Sequence, residues 1–134
     1  MIPLFKTDCS IGRSILTLND PSDKEGGADS VFSIAQEHGI EKLVLVEDSL
    51  IGFLKAHYKC KELGIDLIFG LRLEICNHVD EDKPVNKHKI IIFAKNDKGC
   101  KLLNQIYSDA YAEGDGCIPM KNLSKNWEGD NLDL

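Results

Sequence analysis

Apolar residues along the chain form short continuous runs that alternate with longer stretches of helical spacing. The continuous runs are rich in leucine and β-branched residues, which is typical of strands buried on both faces of a parallel sheet. They predict parallel strands near residues 2–6, 42–46, 66–74 and 88–94. The stretches with helical spacing predict helices near residues 29–38, 50–63 and 97–112. This alternation indicates an α/β fold with a mostly parallel sheet.

The second predicted helix carries its large apolar residues at helical spacing. These residues are Ile51, Leu54, Tyr58 and Leu63. Ser49 is a candidate N-cap residue, and Gly64 is expected to end the helix. Two polar segments, residues 7–27 and 77–87, are predicted as loops.

The tail of the chain is predicted to continue the same domain. Residues 1–112 form the α/β domain in this interpretation, and residues 113–134 extend it. The last residues, Leu132-Asp133-Leu134, resemble a strand cut at its beginning. We therefore expect the domain to be truncated at this end.

Composition and charge narrow the range of partners. The chain has 134 residues, enough for one globular domain. Its 22 acidic and 16 basic side chains give a net charge of -6, and the basic residues are scattered singly. Neutralisation of phosphates supplies most sequence-independent affinity for nucleic acid. We therefore expect no direct nucleic acid binding.

The sequence also bears on the cellular compartment. No apolar run approaches the roughly 18–20 residues that a membrane span needs, and the N-terminal residues lack the layout of a signal peptide. The five cysteines are odd in number, widely spaced and without a C-x-x-C pair. We predict a cytoplasmic protein with reduced thiols and no membrane association.

A few side chains are candidates for chemistry. Glu47 and Asp48 follow a predicted strand, at the edge where α/β proteins place their sites. They are either a functional carboxylate pair or acidic residues that begin the next helix and favour its dipole. His88 is either a relic metal ligand or a packing residue. The segment Asp8-Cys9-Ser10 places a nucleophile beside an acid but contains no histidine to complete a catalytic set.

Four segments, in this order, resemble the N-terminal PHP (polymerase and histidinol phosphatase) domain of bacterial DNA polymerase III α subunits. Residues 3–7, Pro-Leu-Phe-Lys-Thr, lie where that family has a leucine followed by His-x-His. Residues 35–49 and 53–70 resemble its next two segments. Residues 88–111, which include Ala94-Lys95-Asn96-Asp97-Lys98-Gly99, form the most specific match. The resemblance implies a partial or distorted PHP-type (β/α) barrel.

The resemblance also implies a trinuclear metal cluster held by His, Asp and Glu in active members. In this chain Phe5 and Thr7 occupy the first two histidine positions, and Ser14 or Thr17 falls where an aspartate is expected. Arg72 replaces a glutamate, and its guanidinium would repel a divalent metal. We therefore expect no cofactor and no catalytic residue. The vestigial site positions are Asp8, Glu47, Asp48, Arg72 and His88, of which His88 alone is in register as a ligand.

The resemblance implies a domain of a replicative DNA polymerase, a DNA-directed nucleotidyltransferase whose catalytic aspartates would lie beyond residue 134. Such a domain supports the rest of the polymerase chain and docks the separate proofreading exonuclease. Self-association through open sheet edges is the alternative. Two other hypotheses stay open. One is a free-standing phosphoesterase with a metal site rebuilt from Asp8, Glu47, Asp48 and His88, and the other is a stand-alone interaction protein that mimics the polymerase domain.

Overall fold

The computed structural model describes residues 3–10, 15–20, 29–80, 83–113 and 116–134. The chain divides into two compact units, Met1–Phe69 and Gly70–Leu134. Residue 2 of the first predicted strand, and much of the predicted loop 7–27, lie outside the described residues. Among the described residues, no helix combines the length and the apolar character that crossing a membrane requires.

The first unit contains parallel strands and two helices. Its elements are β1 (Leu4–Phe5), β2 (Leu16–Thr17), β3 (Asp29–Ser30), α1 (Val31–Glu37), β4 (Lys42–Glu47), α2 (Phe53–Leu63) and the start of β5 (Asp66–Cys76). β1 runs parallel to β4, with Leu4 opposite Val44, and the strand order is β1-β4-β5. β2 and β3 form a small parallel pair, so the predicted loop 7–27 contains a short strand.

β4 positions the candidate site, and its sequence explains its place in the core. Every residue from position 43 to position 47 is buried. The run Leu43-Val44-Leu45-Val46 fills both faces of the sheet with apolar side chains, and burying each of them stabilises the fold by about 1.5–3 kcal/mol. The prediction of a strand buried on both faces is confirmed.

α2 buries small side chains and leaves its large apolar residues exposed. Ala56 and Cys60 are buried, one turn apart. The large apolar residues are exposed: Ile51 81%, Leu54 61% and Tyr58 66%. This side of the helix lies close to Leu18, because a Cβ on Gly52 would be 2.7 Å from Cδ1 of Leu18. Small side chains such as those of Ala56 and Cys60 allow this close approach.

Of the two predictions about the ends of α2, one is confirmed and the other is wrong. Gly64 ends the helix in the left-handed conformation at φ 69°, as predicted. The N-cap is Gly52 rather than Ser49. The Ser49 hydroxyl instead donates to the carbonyl oxygen of Cys9 at 3.1 Å.

The second unit is built on the rest of β5. Its further elements are β6 (His78–Asp80), β7 (Lys83–Val85), β8 (His88–Ala94), α3 (Asp97–Glu113), β9 (Cys117–Pro119), α4 (Met120–Asn126) and β10 (Leu132–Asp133). β9 runs parallel to β5, with Ile118 opposite Ile75. β8 runs antiparallel to β5, and β10 runs antiparallel to β8.

The prediction that the strand near residues 88–94 is parallel is therefore wrong. A parallel return needs a crossover of a dozen or more residues, usually with a helix. Here the segment predicted as loop 77–87 folds into the antiparallel hairpin of β6 and β7, and the chain reverses. The fold remains a mixed α/β arrangement with a mostly parallel central sheet, compatible with the predicted class.

Gly99 belongs to residues 88–111, the segment with the most specific resemblance, and it lies at a close contact in the fold. A Cβ at this position would overlap the carbonyl oxygen of Asn131. That same carbonyl accepts a hydrogen bond from the Lys95 backbone N–H at 3.0 Å. The Asn96 side chain donates to Asn131 Oδ1 at 3.0 Å and accepts from the Gly99 N–H at 2.8 Å. Only glycine allows the first turn of α3 to approach this backbone so closely.

Candidate functional site

The parallel pairing of β1 and β4 brings the residues at the ends of both strands to one edge of the sheet. Glu47 is the last residue of β4 and is fully buried. Thr7 follows β1 by two residues and is also fully buried. A tight turn, in which the Ser10 N–H donates to the Thr7 carbonyl at 3.1 Å, places Ser10 beside them. We refer to Thr7, Ser10 and Glu47 as the Glu47 cage.

Three donors hold both oxygens of the Glu47 carboxylate. Oε1 accepts from the backbone N–H of Thr7 at 2.8 Å and from the Thr7 hydroxyl at 2.6 Å. Oε2 accepts from the Ser10 hydroxyl. A buried carboxylate is costly unless it is hydrogen-bonded, and each bond to a charged group stabilises the fold by about 1.5–3 kcal/mol. The cage therefore compensates the burial with neutral donors.

The two hydroxyl groups of the cage also bind the neighbouring backbone. Ser10 Oγ accepts from the Asp48 N–H at 2.9 Å. Thr7 Oγ1 accepts from the Cys9 N–H at 3.3 Å. Each hydroxyl thus donates to Glu47 and accepts from the main chain, which fixes the direction of its proton. The cage joins the segment after β1 to the end of β4.

Asp48 lies at the rim of the cage rather than inside it. Its Oδ2 is 2.8 Å from Nζ of Lys6, and the two side chains are only 24% and 23% exposed. The interpretation that Glu47 and Asp48 begin the next helix is wrong, because α2 begins at Phe53 with Gly52 as its N-cap. The pair consists instead of one buried carboxylate and one that forms a salt bridge.

The remaining predicted site residues lie elsewhere. Asp8 is exposed, and its backbone N–H donates to the Leu16 carbonyl at 2.8 Å. Arg72 is half-buried on β5 in the second unit. His88 is exposed and begins β8, opposite Ile75. The structure therefore places Glu47 and Asp48 with Thr7 and Ser10, and Arg72 and His88 in the other unit.

The arrangement does not present Ser10 as a nucleophile. Its hydroxyl is fully buried, donates to Glu47 and accepts from the Asp48 backbone. A nucleophile needs access to its substrate and a general base within hydrogen-bond reach. The buried hydrogen bond between the Ser10 hydroxyl and the Glu47 carboxylate is therefore a structural contact.

The residues present do not fit the metal cluster that the resemblance implies. Both oxygens of Glu47 face N–H and O–H donors, so a cation would have to displace those donors first. Thr7 supplies a neutral hydroxyl and a backbone N–H, both of which donate to Glu47. The Lys6 ammonium already pairs with Asp48. In the part of the chain that the structure describes, no group of three or more His, Cys, Asp or Glu side chains could hold a metal ion.

The roles of Thr7 and Ser10 are not predicted by the sequence. By resemblance Thr7 is a lost ligand, and the segment around Ser10 makes it a weak candidate nucleophile, whereas in the structure both are donors to Glu47. One signal was present in the sequence. Parallel strands end at one edge, so hydroxyl residues that follow the first strand are expected near a carboxylate that ends its neighbour.

Burial also sets the chemistry of the cysteines. Burial raises the pKa of the Cys60 thiol to about 11. Burial, followed by a hydrogen bond with Cys76, raises the pKa of Cys117 to about 11 as well. All five cysteines are free thiols in the structure. A thiol with a raised pKa is a poor nucleophile at neutral pH, so these buried cysteines are structural.

Comparison with known protein families gives a match. A family model described as PHP domain matches residues 22–131, which is more than half of the chain. Glu47 and Asp48 lie within the matched residues, and Thr7 and Ser10 precede them. None of the curated proteins compared with the chain matches it.

Proposed function

This chain belongs to the PHP domain family, and on that premise we propose that it is a PHP domain without a metal centre, which acts through its surfaces and its packing. More specifically, we propose a partial or distorted PHP-type barrel at the N-terminus of a DNA polymerase III α subunit. There it supports the rest of the polymerase and docks the proofreading exonuclease during DNA replication in the cytoplasm.

The Glu47 cage is the single observation that carries the loss of the metal centre. A catalytic cation needs carboxylate oxygens that are open to it, and those of Glu47 are taken up by Thr7 and Ser10. The hydrogen bonds join the segment after β1 directly to the end of β4. The fold is thereby stabilised without an ion, and this supports a structural role.

The polymerase context is supported by the resemblance of four ordered segments. The segment with the most specific likeness has a structural reason for its glycine, since Gly99 allows the close approach to Asn131. The net charge of -6 favours a protein rather than the DNA backbone as the surface that this domain contacts. The free cysteines fit a reducing compartment.

A phosphoesterase with a rebuilt metal site is the rival function. Asp8, Glu47, Asp48 and His88 would have to supply its ligands. The contacts disfavour it, because Glu47 is hydrogen-bonded on both oxygens and Asp48 pairs with Lys6. Asp8 and His88 are both exposed.

Sedimentation and hydrolysis together test the proposal. The 134-residue chain is sedimented at tens of micromolar with and without the proofreading exonuclease of the same organism, and hydrolysis of p-nitrophenyl phosphate is followed with added manganese. We expect a complex with the exonuclease and no manganese-dependent hydrolysis. A monomer that ignores the exonuclease and hydrolyses the ester would reject the docking role and support the phosphoesterase.

A further inference from the structure

The exposed face of α2 carries a row of large apolar side chains that the fold leaves uncovered. Ile51, Leu54 and Tyr58 are 81%, 61% and 66% exposed. Their spacing of three and then four residues places them along one side of the helix and of the turn that precedes it. We refer to these three residues as the α2 stripe.

The α2 stripe differs from ordinary surface apolar residues, which occur singly. Contiguous exposed apolar surface marks interaction sites in soluble proteins. The opposite face of α2 already packs into the first unit through Ala56 and Cys60. The helix therefore has two apolar faces, and intramolecular packing uses only one of them.

Charge identifies the kind of partner that the stripe would bind. The chain carries a net charge of -6, yet α2 holds three lysines and one glutamate. Lys55 is exposed and donates to the neutral side-chain oxygen of Asn19. Lys61 is exposed on the other side of the stripe. Lys59 forms salt bridges with Asp20 and Glu62 at 3.2 Å.

A cleft beside the helix extends this surface. It has a volume of about 370 Å³, and Leu18 and Tyr58 line it together with Lys55. The carboxylates of Asp20 and Glu62 also line the cleft, where both pair with Lys59. Tyr58 belongs both to the stripe and to the cleft wall. An apolar row, bordered by lysines and continued by a cleft, complements an amphipathic helix with apolar anchors and acidic flanks.

We propose that the α2 stripe is a docking site for an acidic amphipathic helix of another protein. The inference rests on the proposed role as a docking domain and assigns that role to one surface. The partner's apolar side chains would pack on Leu54 and Tyr58. Its carboxylates would face Lys55 and Lys61.

Peptide titration tests this assignment on the full 134-residue chain. The probe is a fluorescein-labelled synthetic helix of about 20 residues, long enough to be helical, with leucines at spacings of three and four and glutamates on both flanks. Its matched control carries lysines in place of the glutamates. We expect the glutamate peptide to bind and the lysine peptide to bind at least roughly tenfold more weakly.

Two pairs of variants locate the binding surface. Leu54→Ser should weaken binding roughly tenfold, whereas Leu134→Ser, at a leucine of similar exposure (67%), should leave it unchanged. Lys55→Glu should weaken binding and reduce its salt dependence, whereas Lys101→Glu, at an exposed position on α3, should do neither. All four positions are exposed or partly exposed, so folding is expected to persist.

Several outcomes would overturn the proposal. They are equal binding of the lysine peptide, equal effects of the two leucine variants, and a Leu54-dependent dimer of the chain without peptide. Lys55-dependent binding to phosphatidylserine vesicles or to single-stranded DNA, without binding of the glutamate peptide, would likewise overturn it. The proposed function is tested separately, because metal binding or ester hydrolysis would overturn it while leaving these titrations unaffected.

Discussion

Removing the Thr7 hydroxyl tests the energetic role of the Glu47 cage. Thr7→Val keeps the shape of the side chain and the backbone N–H bond to Oε1, but deletes the 2.6 Å hydroxyl bond to the buried carboxylate. A hydrogen bond to a charged group stabilises a protein by about 1.5–3 kcal/mol, and the 3.3 Å acceptor contact with Cys9 is also lost. We expect the free energy of unfolding to fall by about 2–3 kcal/mol, a large fraction of the roughly 5–15 kcal/mol of a typical domain.

Thr17→Val is the matched control. Thr17 is also buried, but its hydroxyl accepts a local 3.2 Å bond from the Asn19 N–H, between neutral groups. Its loss should cost about 0.5–1.5 kcal/mol. Urea unfolding followed by far-ultraviolet circular dichroism measures both variants, with an unchanged dependence on urea concentration as the sign of a common unfolded state.

The double variant Thr7→Val/Ser10→Ala sharpens the test. Both hydroxyls donate to one carboxylate, so their removal together should cost more than the sum of the single changes. A Thr7→Val variant no less stable than Thr17→Val, or strict additivity in the double variant, would refute the reasoning.

Two further predictions concern the rest of the fold. Gly99→Ala should lower the free energy of unfolding by about 1–3 kcal/mol, because its Cβ would overlap the Asn131 carbonyl. The control Lys98→Ala removes only an exposed salt bridge to Glu128 and should lower it by less than about 1 kcal/mol. Thermal unfolding compares the two variants, and equal losses would contradict the close approach of Gly99 to Asn131. Burial raises the pKa of Cys60 from 9.0 to about 11, so the folded state keeps the thiol proton longer than the unfolded chain. The stabilisation that comes from the protonated Cys60 thiol is fully present below pH 9 and is lost as the pH rises towards 11. In urea titrations, Cys60→Ala should therefore reduce the slope of the free energy of unfolding against pH in this range by up to about 1.4 kcal/mol per pH unit. An identical slope in the wild-type chain and the variant would refute this prediction.

The sequence predicted the elements whose signals are local. The buried run of β4 and the glycine that ends α2 were both read correctly, because continuous apolar residues and a left-handed C-cap depend on few neighbours. The direction of β8 was predicted wrongly, because the hairpin of β6 and β7 is built from polar residues, which are typical of a loop. Strand direction is decided by the connection rather than by the strand itself.

The candidate site shows a similar division. Glu47 and Asp48 were found, because carboxylates at a strand end are visible in the sequence. The sequence did not predict their different environments, because the burial of Glu47 and the pairing of Asp48 depend on residues some forty positions earlier. The sequence did not predict which face of α2 is buried. Periodicity shows which residues share a face, but it does not show which face the rest of the chain will cover.

Metal binding at equilibrium tests the central claim most directly. The 134-residue chain, purified without chelator, is dialysed against micromolar Mn²⁺ or Zn²⁺, and bound metal per chain is measured by mass spectrometry, with Glu47→Gln and His88→Ala as companions. The account predicts well under one equivalent of either metal for the wild-type chain and no change in the variants. One to three equivalents in the wild-type chain, lost in Glu47→Gln or in the exposed-site variant His88→Ala, would contradict it.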